Sequence, residues 1–168
     1  EGAQNEDGST YKRAFIRVRW KLAADGVTPL ESRMDVVNSD IGYLGYNAAE
    51  SYGLSWKVIG SAENLFENVG VFGNIFDSHI HHNYFGVYSF GHQGDPENQL
   101  SGQWVNNEID HNVKYGLDPH DDSDNLVIEN NNVHHNGYHG IIAAERCDHI
   151  IIRNNESWSN TGNGIMLY

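Results

Sequence analysis

The stretch Tyr115-Gly116-Leu117-Asp118-Pro119-His120-Asp121-Asp122-Ser123 sets a phenol, an imidazole and three carboxylates beside one another. Such groups together can move a proton: imidazole exchanges one near neutral pH, phenol donates one, and a carboxylate orients either of them. If the segment is a strand, Leu117 and Pro119 face inward while Asp118 and His120 face outward. Each of these residues also has a plain reading. Asp118 and His120 make a solvated ion pair at a strand–loop junction, Tyr115 is a ring in a side-chain ladder, and Asp121, Asp122 and Asp124 form an acidic turn. The last three could alternatively hold calcium, a hard cation that prefers carboxylates around a loop.

A repeat must position these residues. Gln103–Asn112, Leu126–Asn136 and Ile150–Asn160 align without gaps, and each is followed by a glycine, Gly116, Gly140 and Gly164, at a period of 24. An earlier copy, Asn74–Asn83, leads to Gly86, and a fainter one ends at Gly53. The longer step from Gly86 to Gly116 is assigned to Gly91–Gln99, read as an exposed loop. After the glycines come Leu54, Val87, Leu117, Ile141 and Ile165, an aliphatic column. Short β-rich runs alternate with Asn/Gly corners, and helical periodicity is absent over residues 69–168. The chain holds 18 Gly and 20 Asn, which suits corners with left-handed backbone. These features predict an all-β right-handed parallel β-helix with coils of about 24 residues, stacked at the ~4.8 Å strand spacing. Corner asparagines would form amide ladders along the axis. Residues 35–168 are assigned to the β-helix, as five to six coils. Residues 1–34 are assigned to an irregular segment with one strand, Ala14–Lys21, basic on one face through Arg17, Arg19 and Lys21. Residues 22–34 and 60–68 read as loops, and Glu1–Thr10 as a frayed tail.

In this register Ser55, Tyr88, Ile142 and Met166 stack beside Asp118, and Lys57, Phe90, Ala144 and Tyr168 beside His120. Aromatic platforms around acid–base groups are what a groove for a sugar chain requires. The string Tyr-Gly-Leu-Asp-Pro-His-Asp-Asp-Ser, inside its Asn/Gly repeat, resembles the signature of the mannuronan C5-epimerases, enzymes built on a parallel β-helix. Val36–Ser39 through Ser51–Leu54, Trp104–Asn107 and His139–Ile142 resemble that family's neighbouring coils. The resemblance implies conversion of β-D-mannuronate to α-L-guluronate within an alginate-like polymer. It implies His120 as base, Tyr115 as partner acid or as the group that holds the reacting ring, and Asp118 as the group that engages the substrate carboxylate or orients His120. Lys57, Tyr88, Phe90, His139, Glu145 and Arg146 are the expected substrate-binding residues. The sequence departs from the family at Ala144, where a charged residue is expected to manage the carboxylate; Arg146 or Lys57 would have to replace it. Cleavage of the 4-O bond before reprotonation would make the same site a lyase. The alternative is a non-catalytic β-helix module that binds polysaccharide or assembles through its coil ends into a fibre or wall.

Composition narrows the remaining classes. The 168 residues fit one domain. A net charge of −13 disfavours nucleic-acid binding, although seven of the ten Lys and Arg precede residue 58 and could hold a polyanion at that end. No apolar run approaches the roughly 20 residues of a membrane span. No leader opens the chain, so an export signal is taken to have been removed or to lie outside it. The expected location is extracellular or periplasmic. Cys147 stands alone, so cysteine usage leaves the redox compartment open. No metal is assigned to the catalytic set and no cofactor is required, with calcium possible. His82, His111 and His135 fall in one column, with His81 and His134 beside it; polar stacking is the plain reading and a transition metal the sharper one. The sequon Asn155-Glu156-Ser157 is expected to go unused, because a corner asparagine is a poor acceptor.

Overall fold

The computed structural model describes residues 12–60 and 69–168. The tail Glu1–Thr10 and most of the 60–68 loop therefore lie outside the described residues. The chain enters through β1 (Ile16–Leu22) and β2 (Pro29–Leu30), an antiparallel pair. Five coils of three strands follow: β3 (Val36–Val37), β4 (Asp40–Gly42) and β5 (Gly53–Val58); β6 (Ile75–Phe76), β7 (His79–His81) and β8 (Phe85–Phe90); β9 (Gln103–Val105), β10 (Glu108–Asp110) and β11 (Leu117–His120); β12 (Val127–Glu129), β13 (Asn132–His134) and β14 (Ile141–Ala143); β15 (Ile151–Arg153), β16 (Glu156–Trp158) and β17 (Ile165–Leu167). Like strands stack on like. The first sheet runs β17-β14-β11-β8-β5-β1-β2, the second β16-β13-β10-β7-β4, and the third β15-β12-β9-β6-β3. Every pairing between coils is parallel. This is a parallel β-helix.

The aliphatic column is as expected: Leu54 pairs with Val87, Val87 with Leu117, Leu117 with Ile141 and Ile141 with Ile165. Together with Trp56, Ile80, Trp104, Ile109 and Ile128, its first four members fill the lumen and are fully buried. Between strands the chain turns on single residues with positive φ. One corner column is Asn38, Asp77, Asn106, Asn130 and Asn154; another contains Tyr43, His82, His111, His135 and Ser159. Asn, Asp and His tolerate this region better than other side chains, which explains the composition of the corners. Beside each corner runs an amide ladder. In one, Asn131 Oδ1 accepts from Asn107 N at 2.9 Å and Asn155 Oδ1 from Asn131 N at 2.9 Å. In the other, Asn136 and Asn160 accept from Asn112 and Asn136 in the same way. Asn155 is thus engaged through both amide atoms, its Nδ2 donating to Ile128 O at 2.8 Å.

Three local readings need correction. Residues 22–34 contain β2, held because Lys21 and Leu22 bend back onto Leu30 and Pro29. The strand at Ala14–Lys21 is β1, and it pairs in register with β5 from Ile16↔Leu54 to Trp20↔Val58, so the first sheet extends upstream of residue 35. The Gly91–Gln99 segment is exposed only from Pro96 onward. His92 is completely buried, edge-on to Trp56 and Trp104 with centroids 5.9 and 5.8 Å away. Burial pushes its pKa down to about 3, so it is neutral in the fold.

Candidate functional site

The first sheet carries a groove of about 350 Å³ on its outer face. Tyr115, Asp118 and His120 all line it. The register behind this convergence is the expected one: Asp118 pairs with Tyr88, His120 with Phe90, and His120 bridges to Ala144. Tyr52, Phe85, Tyr88 and Tyr168 supply aromatic walls, and Ile142, Ala144 and Glu145 complete the lining. Tyr52 packs on Phe85 and Tyr88 with centroids 5.1 and 4.3 Å apart. Tyr115 stacks on His139 at 5.6 Å and 11°, and meets Phe85 edge-on at 5.1 Å. Burial raises the Tyr115 pKa, with the Asp118 carboxyl adding to it, so the phenol keeps its proton at neutral pH.

Asp118 points outward but is not exposed. It is 1 % accessible, and neither carboxyl oxygen has a hydrogen-bond partner among the described residues. Burial, reinforced by Asp121, raises its pKa well above the ordinary carboxylate value. An unpaired buried carboxylate costs far more than a neutral acid, so Asp118 holds its proton. It therefore lies as a neutral acid directly beneath the groove's aromatic lining.

The partner of His120 is Asp121, which the sequence reading left in an acidic turn. His120 Nδ1 lies 2.6 Å from Asp121 Oδ2, and Arg146 pairs with the other oxygen, Oδ1. A carboxylate held by arginine accepts the Nδ1 proton and leaves the Nε2 lone pair free to act as a base. The signal was adjacency: a left-handed backbone at Asp121 turns its side chain back onto the preceding residue. Arg146 also pairs with Asp122, and Asp124 accepts from Asp148 N, so these acids do not converge on a calcium ion.

The other expected binding residues are placed differently. Lys57 donates to Glu50 at 2.6 Å and lies 4.5 Å over the Phe90 ring. Lys57, Phe90, His139 and Arg146 are not among the groove-lining residues, whereas Tyr88 and Glu145 are. His139 supports Tyr115 from behind the wall instead.

A second cluster lies on the outer face of the second sheet. His81 Nε2 is 2.7 Å from Asp40 Oδ1, and His79 Nε2 is 3.0 Å from Asp110 Oδ2. Asp40, His79 and His81 each bring a ligand atom within 4.8 Å of the others, as do His79, Glu108 and Asp110. The column read from sequence exists beside it, but its rings are stacked. His82, His111 and His135 lie parallel within 8° and 2°, with centroids 5.3 and 5.0 Å apart. Stacked imidazoles direct their lone pairs alongside one another rather than toward a shared ion. Cys147 is not a member of the cluster; burial raises its thiol pKa to about 12, and Sγ donates to Ala144 O.

Residues 31–168 match the family described as periplasmic copper-binding protein (NosD). The chain belongs to that family. It is a parallel β-helix family, and its periplasmic description agrees with the expected extracellular or periplasmic location. No curated protein and no solved structure matches the chain. Among the described residues no helix is long and apolar enough to cross a membrane.

Proposed function

We propose that the groove on the first sheet is the active site of a polyuronate C5-epimerase acting on an alginate-like polymer. The observation that carries this reading is the shared groove of Tyr115, Asp118 and His120, with Asp121 bound to His120 at 2.6 Å. The aromatic walls offer flat faces to sugar rings. The proton on C5 is adjacent to a carboxylate, and its removal places charge on that carboxylate. Lys57 and Arg146 are both held by acids, so neither is free to neutralise it. The neutral Asp118 leaves the groove floor without a negative charge that would repel the substrate carboxylate. His120 Nε2 removes the C5 proton and becomes imidazolium. Tyr115 returns a proton to the opposite face of C5 and becomes phenolate. Proton transfer between the two through solvent restores both.

The test is incubation with polymannuronate in deuterated water. Deuterium at C5 and new guluronate residues are expected, and both should vanish in His120→Ala. Folded wild-type protein that leaves C5 undeuterated overturns the reading, and unsaturated ends absorbing in the ultraviolet would turn it into a lyase. Ala144 and the carboxylate-bound Lys57 and Arg146 favour a second reading, polysaccharide binding without chemistry. That reading predicts retention on polymer with no exchange at C5.

The copper in the family's description finds no donor set in the groove among the described residues. Imidazole and carboxylate donors that suit divalent copper lie instead at Asp40, His79 and His81 on the second sheet, and the epimerisation steps do not involve them. Bound there, the metal would supply a cross-link between coils.

A further inference from the structure

We infer that Asp40, His79 and His81 form a binding site for one divalent transition-metal ion, with copper(II) the tightest-bound. The site ties together the first two coils, and His79 links it to a third. Asp40 stands opposite His79 in the register, and Gly42 stands opposite His81. The geometry depends on that glycine. A Cβ at Gly42 would lie 2.5 Å from His81 Cε1 and 2.8 Å from both ring nitrogens. The missing side chain is the space in which the imidazole folds back over the preceding coil, bringing Nε2 to Asp40 Oδ1.

Neighbours fix the ring in that pose. His81 Nδ1 lies 2.9 Å from His82 Nδ1, which engages one nitrogen and leaves Nε2 as the ligand. Tyr43 meets the His81 ring edge-on at 5.5 Å and stacks on His82 at 5.0 Å. His79 lies 4.4 Å from His81, ring to ring, and reaches Asp110 on the next coil. A metal needs ligands about 2.0–2.2 Å from its centre. Contraction from the present separations is easy, because the Asp40 side chain is 75 % exposed and free to swing. Two imidazoles and one carboxylate, with no thiolate, suit copper(II), nickel(II) and zinc(II), with copper highest in the intrinsic affinity order. Calcium, which takes oxygen ligands only, is disfavoured. The −13 net charge favours accumulation of any cation at the surface.

The experiment is titration of chelator-treated protein with copper(II) alone, followed by calorimetry and electron paramagnetic resonance. One tight equivalent per chain is expected, with nitrogen hyperfine structure and a rise in melting temperature. His79→Gln and His81→Gln should each weaken that equivalent by about 100-fold or more, beyond what loss of a mere supporting partner costs. Asp40→Asn should weaken it while the nitrogen signature stays. His135→Asn removes a ring from the stacked column at a residue type that tolerates its positive φ, and should leave the tight equivalent intact. Far-ultraviolet circular dichroism on each variant separates loss of a ligand from loss of fold. Tight binding that persists in the His79→Gln/His81→Gln double variant, or that is lost equally in His135→Asn, overturns the inference.

Discussion

Replacing Asp118 by asparagine tests whether the groove holds a neutral acid. The carboxyl is 1 % accessible, has no hydrogen-bond partner among the described residues, and has its pKa raised by burial and by Asp121. The unfolded chain releases this proton near the ordinary value of about 3.9, whereas the folded chain retains it to a higher pH. Between those two pKa values, unfolding releases a proton. Stability is therefore lost as pH rises through that window, by about 1.4 kcal/mol per pH unit, and levels off above the folded value. The amide of the Asp118→Asn variant does not titrate. It brings its own unpaired donors, a penalty independent of pH, so the slope of the difference is diagnostic and the offset is not. The assay is urea denaturation of both proteins from about pH 4 to about pH 8, with linear extrapolation. Wild type should lose ground to Asp118→Asn as pH rises from about 4, with the slope set by one proton until the folded pKa is passed. Parallel pH profiles would mean that Asp118 is ionised in the fold or has its pKa unshifted, and the uncharged groove floor in the mechanism would be gone. In deuterated water with polymannuronate, Asp118→Asn, which keeps the neutral side chain's volume beneath the groove, should retain more exchange at C5 than Asp118→Ala.

His92 titrates with the opposite sign. Its folded pKa is about 3, below the unfolded value near 6.5, so its contribution is fully present above ~6.5 and falls by about 1.4 kcal/mol per unit as pH drops toward the folded value; His92→Phe should flatten that acid limb in the same urea series. Asn131→Ala leaves the buried Asn107 N–H and the Trp104 carbonyl without their ladder partners, a cost of roughly 1–3 kcal/mol for each orphaned group. Because coils interact mainly with their neighbours, the same variant should also broaden or split the unfolding transition seen by circular dichroism.

What the sequence disclosed and what it concealed follow one physical division. Register was legible, because a period of 24 repeated with Gly and Asn at fixed places leaves no freedom for a strand to slip without turning its apolar residues outward. Leu117 and its column, the neighbours of Asp118 and His120, and the asparagine ladders all followed from that regularity. Side-chain reach was not legible. The link between Asp121 and His120 depends on which side chain stands at the left-handed position ending β11, where the neighbouring coils carry Gly91 and Glu145. The burial of Asp118 depends on how closely the aromatic residues of neighbouring coils close over it. In the histidine column, common position implied common ligation, but parallel rings about 5 Å apart stack instead. The pairing of β1 with β5 was hidden for a different reason: Ile16–Leu22 carries none of the corner residues that mark the other coils.

Gly42 shows how a solenoid turns a gap in its pattern into a site. Elsewhere on the second sheet the residues opposite one another across coils carry side chains that stand beside their neighbours, as His81, Asp110, His134 and Trp158 do in the same column. At the Gly42 rung the stack is one side chain short, and the imidazole of the following coil falls into the space. An alanine there would push the ring upright and separate Nε2 from Asp40. The groove on the first sheet is built differently, by filling its columns with Tyr88, Phe85 and Tyr115 until Asp118 is sealed beneath them. The two faces share the coils of β4, β7 and β10 and are separated by the packed core of Ile80, Ile109, Val87 and Leu117. A metal bound at Asp40, His79 and His81 would therefore act on the groove only through the stability of the shared coils, because neither set of reacting atoms lies on the other's sheet.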